Sequence, residues 1–389
     1  MLYNFYKMGK QIGGKRMANK KVALLTGGGD APGLNAVIYT LTKTCILKYG
    51  YDVIGYKFGY RGLYNNDFTP LTLESTTGIL HKGGSILFSS NKDNLFDYKV
   101  TDENGNVSKK DVSDVAISNL KNAGIDVLVV LGGDGTLTSA RDFSRLGVNV
   151  IGVPKTIDND LMATDETFGF NTAINIVTEA LGRLHTTAES HHRIIVVEVM
   201  GRNAGWIALY GGIAGSADII LIPEIPYTMD NIVQKIRERA SRGKLFTIIV
   251  VSEGAKENGG TATINRIVED SPDPLRLGGI ASKISFELEQ IIGEEHEIRP
   301  VVLGHTQRGG ETSPYDRILS ARYGSYVAKL IHEENYGTMA CLKGGQIGHV
   351  SLDYVVGAQK LVDPSGELVS VARDLGISFG DAPVNRRKI

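Results

Sequence analysis

Asp158 and Asp160 stand two residues apart in Pro154-Lys155-Thr156-Ile157-Asp158-Asn159-Asp160, the densest polar stretch of the chain. On a strand or turn, side chains two apart point the same way. One carboxylate of such a pair can accept a hydroxyl proton while the other orients metal-bound water or an arginine. An Asx turn or a helix cap accounts for either acid taken alone, so it is the pair that indicates chemistry.

Two glycine junctions supply what such acids would act on. Gly27-Gly28-Gly29 and Gly132-Gly133-Asp134-Gly135 each follow an apolar run and precede an amphipathic stretch. Without side chains in the way, backbone N–H groups and the positive end of a helix can approach a polyphosphate. An unliganded strand-to-helix turn explains one such junction equally well. Asp134, set among glycines, is suited to hold Mg²⁺ against phosphate oxygens. Neither junction has Walker A spacing or G-x-G-x-x-G, which counts against the P-loop and dinucleotide readings.

Carboxylates around a phosphate require cations. Arg193, Arg202, Arg299 and Arg308 each lie close to the end of a strand-like run. Guanidinium forks bind phosphate monoesters at two points and can offset charge that develops during transfer. Singly, an arginine is more often half of a surface ion pair. His305, in Gly304-His305-Thr306-Gln307-Arg308-Gly309-Gly310, is placed either to hydrogen-bond a phosphate or to serve structure alone. His191 and His192 lack the spacing of a helical metal pair and set a turn.

The elements that must position these residues read as short apolar runs alternating with amphipathic stretches. That pattern predicts an α/β fold of parallel sheets with crossover helices. Lys21 to Leu25, Asp126 to Leu131, Arg193 to Met200 and Phe246 to Val251 are the clearest strands, and the first is followed by a helix from about Leu34 to Lys48. Ligands in such sheets bind beyond the carboxyl ends of the strands, which is where the polar motifs fall. At 389 residues the chain exceeds the size of one core, so two domains are expected. Asn91 to Asp114 and Ala255 to Leu277, the latter with a Ser-Pro-Asp-Pro run, read as surface insertions.

Composition narrows the partners. Lys and Arg total 42 against 43 Asp and Glu, which argues against nucleic acid as the main partner. No apolar run approaches the ~20 residues needed to cross a bilayer. Two cysteines, Cys45 and Cys341, are too few for a disulfide framework and fit a reducing cytoplasm. The opening segment 1–20 is basic, lacks the apolar stretch of a secretory signal, and reads as a solvated tail, with Met8 or Met17 as alternative starts.

From Lys21 to about Gly357 the chain resembles the phosphofructokinase A family of 6-phosphofructokinases. The motifs occur in family order: Gly-Gly-Asp-Ala-Pro-Gly at 28–33, Gly-Gly-Asp-Gly at 132–135, Thr-Ile-Asp-Asn-Asp at 156–160, Met-Gly-Arg at 200–202 and Gly-His-Thr-Gln-Arg-Gly-Gly at 304–310. The resemblance implies two Rossmann-like three-layer α/β domains with the active site in the cleft between them. The expected division is 21–169 plus about 307–362 for the nucleotide and 170–306 plus about 363–389 for the sugar phosphate. It also implies a homo-oligomer, usually a tetramer.

By the same resemblance, Gly28 and Tyr60 fall on nucleotide positions, Gly132, Gly133, Gly135 and Thr136 on the triphosphate loop, and Asp134 on the Mg²⁺ carboxylate. Asp158 falls on the catalytic base, with Asp160, Lys155 and Arg202 assisting. Thr156, Met200, Gly201, Arg202, Glu253, His305 and Arg308 match the fructose 6-phosphate pocket, while Arg193 and Arg299 match residues supplied by a neighbouring subunit. The expected reaction moves the γ-phosphoryl group of Mg·ATP to the 1-hydroxyl of fructose 6-phosphate. Pyrophosphate is the alternative donor: its users typically carry Asp where Gly135 stands and Lys where Lys155 stands, so this chain is mixed. Two further departures are Asn91 in place of a bridging arginine, with Lys92 beside it as a substitute cation, and Tyr39 in place of an effector-binding arginine. These departures keep in view a non-catalytic regulatory subunit. A NAD or lipid kinase would share only Gly-Gly-Asp-Gly.

Overall fold

The computed structural model describes residues 19–101, 105, 107–267 and 274–382. Most of the expected N-terminal tail, the 271–273 part of the Ser-Pro-Asp-Pro run and the last seven positions of the expected second domain, 383–389, therefore lie outside the described residues.

The strands are β1 (Lys21–Thr26), β2 (Asp52–Tyr56), β3 (Phe68–Leu71), β4 (Tyr98–Thr101), β5 (Val107–Lys110), β6 (Val127–Gly132), β7 (Val150–Pro154), β8 (Ile194–Val199), β9 (Ile219–Leu221), β10 (Thr247–Ser252), β11 (Ile264–Ile267), β12 (Leu275–Leu277), β13 (Ile298–Val302), β14 (Thr338–Lys343) and β15 (Gln346–Ser351). The helices are α1 (Leu34–Thr44), α2 (Tyr60–Asn65), α3 (Ser113–Asn122), α4 (Asp134–Arg145), α5 (Phe170–His191), α6 (Trp206–Ala214), α7 (Met229–Ser241), α8 (Ile280–Ile292), α9 (Pro314–His332) and α10 (Glu367–Asp374). A seven-stranded sheet runs β15-β14-β7-β6-β1-β2-β3, and a four-stranded one runs β13-β8-β10-β9. Both are built on parallel pairs; only β3 and β15, at the edges of the larger sheet, pair antiparallel.

The central strands β6, β7, β8 and β10 are buried along their whole length. This is the state of a parallel sheet covered on both faces, and it explains why Val, Ile and Leu dominate them without a polar alternation. Alternate residues feed opposite layers. Val22 and Leu24 of β1 pack with Leu34, Leu41 and Tyr323 from α1 and α9, whereas Ala23 and Leu25 pack with Leu137 and Phe143 of α4. Cys45 and Cys341 are both buried and free, the first at the end of α1 in one layer, the second on β14 in the other.

Some local expectations change. The helix after the first glycine junction ends at Thr44 and gives way to a wider turn over Cys45–Tyr49, closed by Gly50 at φ 70°. Both expected insertions contain short antiparallel hairpins, β4–β5 and β11–β12. Pro70 sits in β3, where an edge strand tolerates the missing donor. Among the described residues no helix is long and apolar enough to cross a membrane.

Register is what assembles the motifs. Thr26 of β1 pairs with Leu131 of β6, and Gly132 of β6 pairs with Pro154 of β7. Backbone bonds continue past the strands, Gly27 N to Leu131 O at 2.9 Å and Lys155 N to Gly132 O at 3.0 Å. The two glycine junctions and the 155–160 stretch thus emerge side by side from neighbouring strands.

Candidate active site

Beyond those strand ends lies a cavity of about 330 Å³. Gly28, Tyr60, Gly133, Asp134, Gly135, Thr136, Lys155, Thr156, Asp158 and Arg308 all line it, so most of the expected donor residues converge. Gly132 lies just behind, and a Cβ there would come within 2.3 Å of the Thr136 side chain, so the strand can turn into the helix only with glycine. Gly28 has φ 77°, a conformation that disfavours other residues. Its N–H donates to Ser90 O at 2.9 Å and its carbonyl accepts from Ser89 Oγ at 2.6 Å, which ties the 83–92 segment to the first junction.

Helix α4 starts at Asp134 with Gly133 as a cap that offers no side-chain hydrogen bond. Its first N–H groups and the positive helix end are therefore available to an anion at the cavity wall. Gly135 is exposed, and a Cβ there would meet nothing within 4 Å. Tyr60 is buried, donates from its hydroxyl to Thr136 O at 2.9 Å and stacks on Phe143; it supports the loop from beneath.

The charged groups are held out of water. Burial pushes the Asp158 carboxyl above the usual carboxylate range, against the pull of Arg308 and Lys155. Burial and then the neighbouring Asp158 push Asp160 up to about 6. Lys155 is driven down to about 8, first by burial and then by Arg308, while Asp158, Asp30 and Asp160 oppose the shift. Its Nζ donates to Gly29 O, and the Arg308 guanidinium donates to Asp30 O at 3.0 Å, so both cations brace the first junction.

Oδ1 of Asp134 and Oδ1 of Asp158 are buried and accept no hydrogen bond among the described residues. A buried carboxylate oxygen without a donor is costly unless something binds it. Among the described residues there is no cluster of three or more His, Cys, Asp or Glu able to hold a metal unaided. The donor set suits Mg²⁺, which is commonly held by one or two carboxylates together with phosphate oxygens.

The other residues expected at the sugar phosphate, Met200, Gly201, Arg202, Glu253 and His305, do not line this cavity; they sit on the strand ends and turns of the smaller sheet. Met200 N donates to Gln307 Oε1 at 3.2 Å, joining the end of β8 to the turn Gly304–Arg308. Gly201, at φ 131°, accepts from Ser252 Oγ at 2.6 Å and from Gly254 N at 3.2 Å. Glu253 is pushed up to about 7 by burial and by Asp158 and Glu198. Arg202 donates to Leu275 O at 3.0 Å and lines a second, wider opening of about 1020 Å³. His305 is exposed on its turn.

Arg193 and Arg299 are placed differently from Arg202 and Arg308. They lie at the beginning of β8 and β13, the opposite strand ends from Met200 and Gly304. Both grip Glu297, Arg193 Nε at 2.7 Å from Oε2 and Arg299 through Nη2. They do not join the cavity of their own chain. Asn91 lines the cavity, and Lys92 beside it is exposed and outside the lining. Tyr39 accepts from Lys43 Nζ at 2.9 Å, which also lies over its ring.

Gly29, Ser90, Asp93, Asn94 and Ser139 also line the cavity. Gly29 belongs to a run whose spacing points there; nothing in the spacing of the other four does.

The sequence model of a family described as Phosphofructokinase matches residues 21–331. The chain is 68% identical over 362 residues to the ATP-dependent 6-phosphofructokinase 2 of Clostridium perfringens, covering 93% of this chain and 99% of that one. It is 46% identical to the ATP-dependent 6-phosphofructokinase of Chloroflexus aggregans over 94% of this chain and 99% of that one. Among solved structures, the pyrophosphate-dependent phosphofructokinase of Nitrosospira multiformis superposes with a TM-score of 0.76 at 19% identity, covering 96% of this chain and 95% of that one, a likeness of fold alone.

Proposed function

The chain belongs to the phosphofructokinase family, and from that membership we propose that it is an ATP-dependent 6-phosphofructokinase that phosphorylates the 1-hydroxyl of fructose 6-phosphate. The observation that carries this reading is the pair of unpartnered carboxylate oxygens, on Asp134 and Asp158, at the wall of one cavity framed by glycine loops. The 68% identity to a relative named as ATP-dependent supports ATP as donor. So does the open space at Gly135, which leaves room for the third phosphate that ATP carries and pyrophosphate lacks.

Asp158 accepts the proton of the attacking hydroxyl; its raised affinity for a proton makes it a stronger base than an exposed carboxylate. Asp134 would hold a magnesium ion bound with the donor, Asp160 would orient groups around it, and the ion would supply neutralisation of phosphate charge. Lys155, Arg202 and the N–H groups at the start of α4 meet the charge on the phosphoryl oxygens. Thr156 supports Asp158 by accepting its backbone N–H at 3.1 Å. Met200, Gly201, Glu253, His305 and Arg308 form the sugar-phosphate side, with Arg193 and Arg299 donated to the site of a neighbouring subunit in a homo-oligomer. Segments 21–169 and about 307–362 serve the nucleotide, and 170–306 with about 363–389 the sugar. Two buried thiols fit work in the cytoplasm.

Purified protein supplied with fructose 6-phosphate, Mg²⁺ and either ATP or pyrophosphate tests the reading. Fructose 1,6-bisphosphate and ADP should form with ATP. Turnover with pyrophosphate alone would overturn the donor, and no transfer from either would overturn the activity.

A further inference from the structure

The segment 357–362 lies beyond the residues that match the family, 21–331, and it touches both halves of the site. At its start, the backbone N–H of Gly357 faces Asp134 and favours the charged form of its carboxyl. Gln359 forms an antiparallel bridge with Leu161 and donates from Nε2 to Asp160 Oδ2 at 3.1 Å. Lys360 N donates to Asp160 O at 2.8 Å.

The Lys360 ammonium spends all three of its protons on the same loop. It donates to Asn159 Oδ1 at 3.0 Å, Thr164 O at 2.9 Å and Asp165 O at 2.8 Å. Asn159 also takes the N–H of Thr167 at 3.1 Å and sits at φ 51°, a left-handed turn between the two acids that these bonds hold in place. Burial lowers Lys360 to about 8, with Asp165, Glu166 and Asp160 opposing, as expected for a cation set inside the fold.

On its other side the segment is fastened to the smaller sheet's layer. Trp206 Nε1, at the first turn of α6, donates to Lys360 O at 2.8 Å, and the Lys360 ammonium lies 5.8 Å from the centre of that indole ring. Val362 N donates to Glu224 Oε1 at 2.9 Å, and the same carboxylate caps α6 through Gly205 N at 3.0 Å. Gly205 closes the Met200–Gly205 loop that carries Arg202.

We propose that Gln359 and Lys360 are positioning residues, and that the strap 357–362 sets the catalytic acids of the larger sheet in register with the sugar-phosphate loop of the smaller one. The inference rests on the functional reading above. It predicts a defect in turnover, since misplacing reacting groups by about an ångström costs ~10²-fold while leaving ground-state binding little changed.

Trp206, the chain's single tryptophan, is a built-in reporter because its indole contacts the strap. The test compares wild type, Gln359→Leu and Lys360→Met. Two readouts are taken: steady-state kinetics, and Trp206 emission as Mg·ADP is added, excited where tyrosines stay dark. Gln359→Leu leaves the three Lys360 bonds in place, so it remains a test should Lys360→Met fail to fold. Both variants should lose about tenfold or more in kcat with KM for fructose 6-phosphate changed less than about twofold. Their Trp206 response to Mg·ADP should fall to less than half that of wild type. Wild-type kcat in folded Gln359→Leu, a loss confined to KM, or a Trp206 response unchanged from wild type would each overturn the proposal. A wild-type protein that transferred nothing from ATP would sink the functional reading, whereas the Trp206 response would still decide this one.

Discussion

Asp134 and Asp158 stand at the carboxyl ends of the neighbouring strands β6 and β7, and each keeps one buried oxygen unpartnered at the wall of a single cavity. Two uncompensated acceptors on one cavity wall are what the proposed reaction requires, one for a cation and one for a hydroxyl proton. The roles differ by surroundings. Asp134 opens a helix, whose positive end works against the burial that raises its affinity for a proton. Asp158 is flanked by Lys155 and Arg308.

If Asp158 is the proton acceptor, Asp158→Asn should lower kcat by on the order of 10²–10⁴ while leaving fructose 6-phosphate binding nearly intact. Binding measured by calorimetry alongside turnover separates the two. Near-normal turnover would remove Asp158 from the role.

Gly135→Asp tests the donor. The new Cβ meets no protein atom within 4 Å, so the melting temperature should hold. A carboxylate there opposes a donor phosphate by up to about 4 kcal/mol at ~4 Å in an effective dielectric of ~20. The KM for ATP should rise at least ~10-fold on that basis, and ATP kinetics identical to wild type would contradict the open space as a determinant.

Glu253 gives a pH signature. Folded, it keeps its proton up to about 7; unfolded, a glutamate releases it near 4.5. The native state therefore binds the extra proton between those values, and stability should fall as pH rises through that window. Melting temperatures of Glu253→Gln, plotted against pH, should be flatter there than those of wild type. Parallel curves would show that Glu253 does not hold the proton.

If Arg193 serves the site of a neighbouring subunit, complementation will read it. Arg193→Ala and Asp158→Asn should each be nearly inactive alone. Co-expressed, they should regain activity, because a site with the Asp158 of one chain can borrow the Arg193 of the next. Mixed oligomers no more active than either parent would confine Arg193 to its bond with Glu297.

Much of this was legible in the sequence, because glycine junctions after apolar runs carry their own geometry and because parallel strands place such junctions at one edge. The grouping of residues 28, 134 and 158 followed from that. The strap did not, since Gln359 reaches Asp160 across 199 positions and its own neighbours show no periodicity or glycine signal. Nor did the strand polarity of Arg193 and Arg299: a short apolar run does not say which of its ends faces the ligand. The early end of α1 was hidden as well, for Cys45 to Tyr49 keeps an apolar pattern that a regular helix would share.

The order of the larger sheet has a bearing on biosynthesis. β14 lies against β7, yet it is made only after the whole smaller sheet has been built in between. A nascent chain that has just left the ribosome up to Gly310 already contains both glycine junctions, the acid pair and the arginines, but it lacks the strap and its β7 is still a bare edge. Emerging polypeptides should therefore stay catalytically silent, and prone to capture by chaperones, until the last fifth of translation supplies the missing strand.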